Sequence, residues 1–88
     1  MDVKLNQDAR EDFLNLDTRQ KAGFQEEKKN LKAWPATSGA KPLENRWKGH
    51  FRLVLCKDWR VLFRVLPGTV EPDHITVVRL RHRSVAYL

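Results

Sequence analysis

A single cysteine, Cys56, leaves this 88-residue chain without the means for an internal disulfide. That points to a reducing compartment and away from the small secreted domains braced by cystines. Long apolar runs are missing as well. No stretch approaches the roughly 20 residues that a membrane-spanning helix needs. The opening Met1-Asp2-Val3-Lys4-Leu5 leads into polar sequence rather than the apolar core of a signal peptide. One cysteine and three scattered histidines, His50, His74 and His82, have no metal-ligand spacing. Internal repeats and low-complexity tracts are also absent. The expectation is a cytoplasmic protein with no metal, no cofactor and no membrane partner, folded as a single small domain over residues 1–88.

Positive charge is what the chain has in quantity. Its 17 Lys+Arg against 11 Asp+Glu give a net +6, which suits nucleic acid, an anionic membrane or an acidic protein as partner. The charge is patterned. In Phe51-Arg52-Leu53-Val54-Leu55, in Asp58-Trp59-Arg60-Val61-Leu62-Phe63-Arg64-Val65 and in Arg79-Leu80-Arg81-His82-Arg83, apolar residues alternate with arginines at period two. Such segments read as strands with one oily face and one cationic face.

The first half is helical in pattern. Val3-Lys4-Leu5 is a short edge strand; Asn6 then caps a helix with Asp8 in its first turn and Ala9, Phe13 and Leu16 as an apolar stripe. Asp17 or Thr18 caps a second helix, which runs to about Trp34 and stops at Pro35. Its apolar marks are Ala22, Phe24, Leu31 and Trp34. Its charged face, Glu26-Glu27-Lys28-Lys29 with Lys32, is either solvated or a docking surface for rRNA. Residues 36–50 form a loop, Pro67-Gly68 marks a turn, and Pro72-Asp73 keeps the next connection irregular. The order is β-α-α-β-β-β, an α+β fold whose antiparallel sheet carries two N-terminal helices on one face.

A three-residue loop, Lys57-Asp58-Trp59, sets Cys56 opposite Arg60, Leu55 opposite Val61, Leu53 opposite Phe63 and Arg52 opposite Arg64. It gathers Leu53, Leu55, Val61, Phe63 and Val65 on the helix side and Arg52, Arg60 and Arg64 on the other. Like charges facing each other cost a few tenths of a kcal/mol or more, which an anionic ligand would relieve. Cys56 is expected as a core-edge strand residue, and His50 and His74 as solvent-facing loop residues. Trp34 and Trp47 pin the helix end and the loop; Trp47, between Arg46 and Lys48, is alternatively a stacking platform for a base.

Three stretches resemble the RelE/ParE superfamily of bacterial toxins from type II toxin–antitoxin pairs. They are Gly39-Ala40-Lys41-Pro42-Leu43; Gly49-His50-Phe51-Arg52-Leu53 with Asp58 through Val65; and Ile75-Thr76-Val77-Val78-Arg79-Leu80-Arg81-His82-Arg83 with Val85-Ala86-Tyr87. The resemblance implies the RelE-like microbial RNase fold. It also implies a ribosome-dependent mRNA endonuclease (an mRNA interferase that inhibits translation) acting in the 30S A site, or else a ParE-type inhibitor of DNA gyrase. The implied partners are mRNA, the ribosome and a cognate antitoxin with which the toxin forms a hetero-oligomer.

The implied reaction is attack of the RNA 2′-hydroxyl on the adjacent phosphate, leaving a 2′,3′-cyclic phosphate. It needs a base, cations for the developing phosphorane charge and an acid. By position, Arg52, Arg60, Arg83 and Tyr87 match the family's catalytic set, and arginine's planar fork suits a phosphate. Val54 stands where some relatives carry a lysine, and Arg81 replaces a glycine. His82 is the substitute acid or base, or else a surface histidine on a turn. Tyr87 either stacks on a base or packs on the sheet edge. Arg64, Arg81, Lys41, Trp47 and Lys48 are expected to contact RNA, with pairing to Glu71 or Asp73 as the alternative for Arg64.

Overall fold

A computed structural model of the chain describes residues 1–66 and 73–87. The elements are β1 (Asp2–Leu5), α1 (Gln7–Leu14), α2 (Thr18–Lys32), β2 (Lys41–Pro42), a 3-10 turn (Asn45–Trp47), β3 (Phe51–Leu55), β4 (Trp59–Leu66) and β5 (His74–His82). The expected turn at Pro67-Gly68, Glu71 and Pro72 lie outside the described residues. None of the described helices is long and apolar enough to cross a membrane.

Both helix starts follow from local chemistry. The Asn6 Oδ1 accepts the Ala9 amide at 2.9 Å. At α2 the Asp17 carboxylate accepts the Gln20 amide at 2.7 Å, while the Gln20 side chain accepts the Asp17 amide at 3.0 Å. This reciprocal box satisfies two amides that a helix start otherwise leaves open. α2 ends at Lys32 with Ala33 as its cap, short of the expected Trp34.

The sheet order is β1-β5-β4-β3-β2. β3, β4 and β5 pair antiparallel with their neighbours, and so does β2, an edge strand the loop pattern did not announce. β1 pairs parallel to β5, which makes the sheet mostly rather than wholly antiparallel. α1 packs on β5 and α2 on β3. Between helices and sheet lie Leu16, Phe24, Leu31, Leu53, Leu55, Val61, Phe63, Ile75, Val77 and Leu80, all buried. Each large apolar side chain so buried is worth about 1.5–3 kcal/mol. Trp34 closes one end, its ring 4.9 Å from Phe51 and 5.8 Å from Phe63.

The hairpin keeps its expected loop length but is slid by two residues. Leu55 faces Trp59, Leu53 faces Val61, Arg52 faces Leu62 and Phe51 faces Phe63. A slide of two preserves the alternation, so the oily and cationic faces stand as expected while the Arg52–Arg64 opposition does not occur. The turn is Cys56-Lys57-Asp58, with φ of 46° at Cys56 and 66° at Lys57. Contacts from elsewhere hold it there. The Arg83 amide donates to the Asp58 carbonyl at 2.7 Å. On the other side, a Cβ on Gly23 of α2 would stand 2.9 Å from Cys56 Sγ, so only glycine lets the helix meet the turn this closely. Cys56 is thus a turn residue and not a strand residue.

Three smaller expectations also change. Ala22 is exposed, because the side of α2 that meets the sheet is set by Phe24 and Leu31. His50 and His74 are half-buried with Nδ1 shielded from solvent and without a partner among the described residues. His74 is moreover the first residue of β5 rather than part of a loop.

Candidate nucleic-acid interface

The face turned away from the helices is built by the same alternation. Following the register, one row crosses Lys41, Arg52 and Leu62, and the next crosses Val54, Arg60 and Arg81. Strands lie about 4.8 Å apart and residues on one face recur about every 6.6 Å along a strand. Arg52, Arg60 and Arg81 therefore emerge from adjacent rows. Two like-charged pairs, Lys41–Arg52 and Arg60–Arg81, sit directly opposite each other, an arrangement that disfavours the unliganded sheet. Among the described residues the Arg52 side chain has neither a hydrogen bond nor an ion pair. Arg64 lies exposed four residues along β4 from Arg60, beside Thr76 rather than within this cluster.

The hairpin turn gathers the other cations. The Arg60 Nη1 donates to the Lys57 and Trp59 carbonyls, both at 3.0 Å. Arg83 follows the end of β5, its Nε 3.5 Å from Asp58 Oδ1 in a pair that remains solvent-exposed. Two guanidinium groups thus flank residues 57–59. Asp58 organises this end of the site, a role not anticipated from its place in the hairpin motif. The missed signal is an acid one residue before the Trp59-Arg60 pair and within reach of a late arginine.

His82 is placed differently. It pairs with Trp59 in the register, on the helix-side parity, and its ring meets Trp59 edge-on at 5.7 Å. The Ser84 amide donates to His82 Nδ1 at 3.2 Å, and the Ser84 hydroxyl lies 2.8 Å from the same atom. With Nδ1 accepting, the neutral ring carries its proton on Nε2 and can donate from there. In that tautomer the ring offers a hydrogen bond but no lone pair with which to act as a base. Beside it a cleft of about 290 Å³ is lined by Arg19, Cys56, Lys57, Asp58, Trp59 and His82 among others.

The C-terminal segment crosses the cationic face. Arg81 Nη1 donates to the Val85 carbonyl at 3.2 Å, and Trp47 Nε1 donates to the Tyr87 carbonyl at 3.1 Å. These bonds carry residues 83–87 from the end of β5 toward the loop before β3. Leu62, which alternation turns to this face, is nevertheless fully buried, as is Ala86, and neither belongs to the helix-side core. Tyr87 is 39% exposed. Trp47 is half-buried, and Lys41 and Lys48 are exposed.

One ion pair lies apart from this surface. Asp12 of α1 accepts Arg79 Nε at 2.9 Å, Arg79 Nη2 at 3.0 Å and the Leu80 amide at 2.9 Å. β1 has ended by this point, so the carboxylate satisfies an amide that the sheet edge leaves open. Arg79, one of the patterned arginines, is thereby structural. Among the described residues no group of three or more His, Cys, Asp or Glu side chains could hold a metal ion.

No family model and no curated protein matches the sequence. Solved structures do match. A YoeB/ParE toxin from Agrobacterium tumefaciens is 20% identical, with 93% of this chain and 98% of that one covered and a TM-score of 0.77. The toxin–antitoxin complex RelBE2 from Mycobacterium tuberculosis gives 24% identity, coverage of 93% and 96%, and a TM-score of 0.75. YafQ from E. coli gives 15% identity, coverage of 99% and 98%, and a TM-score of 0.66. These likenesses span nearly the whole of both chains, and they reproduce the two helices and the mostly antiparallel sheet. The chain has the fold of the RelE/ParE-type toxins.

Proposed function

We propose that this protein is the toxin of a type II toxin–antitoxin pair and a metal-independent endoribonuclease that cuts mRNA in the ribosomal A site. The observation that carries the reading is the convergence of Arg52, Arg60 and Arg81 on adjacent rows of one sheet face, with Arg83 at its rim. Such a surface can grip a phosphate through several charge-assisted hydrogen bonds and stabilise the charge that develops on it. Arg52 and Arg60 hold the scissile phosphate, Arg83 neutralises the phosphorane, water takes the proton of the attacking 2′-hydroxyl, and His82 at the end of β5, in its protonated form, returns a proton from Nε2 to the leaving 5′-oxygen. Tyr87 orients the nucleotide, and Arg64, Arg81, Lys41 and Lys48 bind flanking phosphates. A shallow cationic face gains substrate positioning from a larger machine, which favours dependence on the ribosome and an activity in the cytoplasm.

Neutralisation falls to an antitoxin whose acidic, amphipathic segment folds onto the toxin. Two of the structurally similar proteins, RelBE2 and DinJ–YafQ, are toxin–antitoxin complexes. A second reading, inhibition of DNA gyrase without RNA cleavage, draws on Val54. It stands opposite Arg60 on the cationic face, 43% exposed, where some nucleases of this fold carry a lysine.

Primer extension on a defined mRNA, with and without programmed ribosomes, tests the proposal. New 3′ ends only with ribosomes are expected. Intact mRNA from protein that still arrests growth would overturn the nuclease reading in favour of gyrase, to be checked by a supercoiling assay.

A further inference from the structure

The proposed reaction begins with the loss of a proton from the RNA 2′-hydroxyl. Val54 offers that proton no acceptor, and neither does the His82 ring with its Nδ1 engaged by Ser84. His50 lies on the same face as Arg52. Side chains alternate along a strand; Phe51 packs against the helix-side core, and the residues on either side of it turn the other way. The Leu43 amide donates to the His50 carbonyl at 2.9 Å. That bond extends by one residue the pairing of Lys41 with Arg52 and Pro42 with Phe51. His50 and Arg52 therefore stand about 6.6 Å apart along one strand.

The ring is held in place. The His50 amide donates to the Trp47 carbonyl at 2.9 Å, and the ring meets the Trp47 indole edge-on, 5.1 Å between centroids and 88° between planes. Nδ1 is shielded from solvent and has no partner among the described residues. Nε2 has no hydrogen bond there either and is not so shielded, so proton exchange is confined to it. The surroundings set the tautomer. Lys41 and Arg52 share this face, and cations attract the lone-pair end of an imidazole dipole and repel its N–H end. The proton therefore rests on Nδ1, and the lone pair of Nε2 is left for the cationic face.

We infer that His50 is a further catalytic residue, whose Nε2 takes up the proton released when the 2′-hydroxyl attacks. The inference rests on the nuclease reading above and adds the acceptor which that reading lacks. The water that receives the 2′-hydroxyl proton gives one of its own to Nε2, so an N–H bond forms there and the water is regenerated. The freed 2′-oxygen bonds to phosphorus, the bond from phosphorus to the 5′-oxygen breaks, and that oxygen takes its proton from His82. His50 and His82 lie at opposite ends of the arginine rows, His50 before Arg52 on β3 and His82 beyond Arg81 on β5. An in-line displacement needs its acceptor and donor on opposite sides of the phosphate. Imidazole suits the task because it exchanges a proton near neutral pH.

The test uses the full chain on programmed ribosomes, with single-turnover cleavage read by primer extension. His50→Gln should slow cleavage about 10²-fold or more. Its urea midpoint should stay nearly unchanged, and so should its binding to ribosomes whose mRNA is 2′-O-methylated at the mapped cut site. Glu44→Gln, at the acid of the same loop, should cleave at nearly the wild-type rate. Nitrogen NMR of the His50 ring should show the Nδ1–H tautomer in the free protein.

Cleavage by His50→Gln at the wild-type rate would overturn the inference. So would a loss confined to binding, an equal loss in Glu44→Gln, or an Nε2–H ring. Wild-type protein that leaves mRNA intact would remove the nuclease reading and this inference with it, whereas wild type and His50→Gln that cut alike would remove the inference alone.

Discussion

The two faces of one sheet obey opposite rules. On the helix side Leu53, Val61 and Phe63 sit opposite and against one another with no polar atom to satisfy, and burial itself supplies the stability. On the far side Lys41 faces Arg52 and Arg60 faces Arg81, pairs that no stability argument recommends. The same backbone ladder carries both. One face therefore supports the other, and like charges are held together on a scaffold whose strength lies elsewhere. The local exception makes the same point: Leu62, on the cationic side, is fully buried rather than left exposed among the arginines.

That contrast is open to attack in order of expected effect. Phe63→Ala removes a fully buried ring from the helix side and should cost about 3–5 kcal/mol, read by urea unfolding. A small loss there would mean that the core does not carry the scaffold. Arg60→Ala should leave the unfolding midpoint nearly unchanged while lowering ribosome-dependent cleavage about 10²–10³-fold, measured by primer extension. Equal damage to stability and activity would erase the division between the faces.

Asp12→Ala abandons the Arg79 guanidinium and the Leu80 amide at the edge of β5. It should destabilise the fold by about 1.5–3 kcal/mol, whereas an effect on cleavage larger than on folding would place Arg79 among the functional cations. Gly23→Ala forces a methyl group to 2.9 Å from Cys56 Sγ and should cost about 1–2 kcal/mol despite alanine's better helix propensity. Adding Cys56→Ala should return part of that loss in a double-mutant cycle. The smallest effect is expected for Asp17→Ala, about 1 kcal/mol from the lost capping box, with cleavage by the folded fraction unchanged.

Much of the scaffold was legible because its signals are local. Asn6 and Asp17 cap the helices they precede. Phe24 and Leu31 mark the buried stripe of α2, although Ala22, placed with them by composition, is exposed. The site was legible in part. Arg52, Arg60 and Arg81 lie together, but His82 belongs to the opposite parity and its Nδ1 is already engaged by Ser84. No spacing rule announces that a serine two residues later will decide which ring nitrogen carries the proton.

Alternation by itself determined which residues share a face, because successive side chains on a pleated strand point opposite ways and a slide of two residues leaves that parity untouched. Only the tertiary structure chose among the registers that parity permits. It did so through Gly23 beside Cys56 and Arg83 beside Asp58, contacts between segments far apart in the chain. The parallel pairing of β1 with β5 and the bond from Trp47 to Tyr87, 40 residues apart, were settled in the same way. A local pattern restricts each segment's own geometry, whereas the choice of neighbour depends on how the whole chain closes around its core.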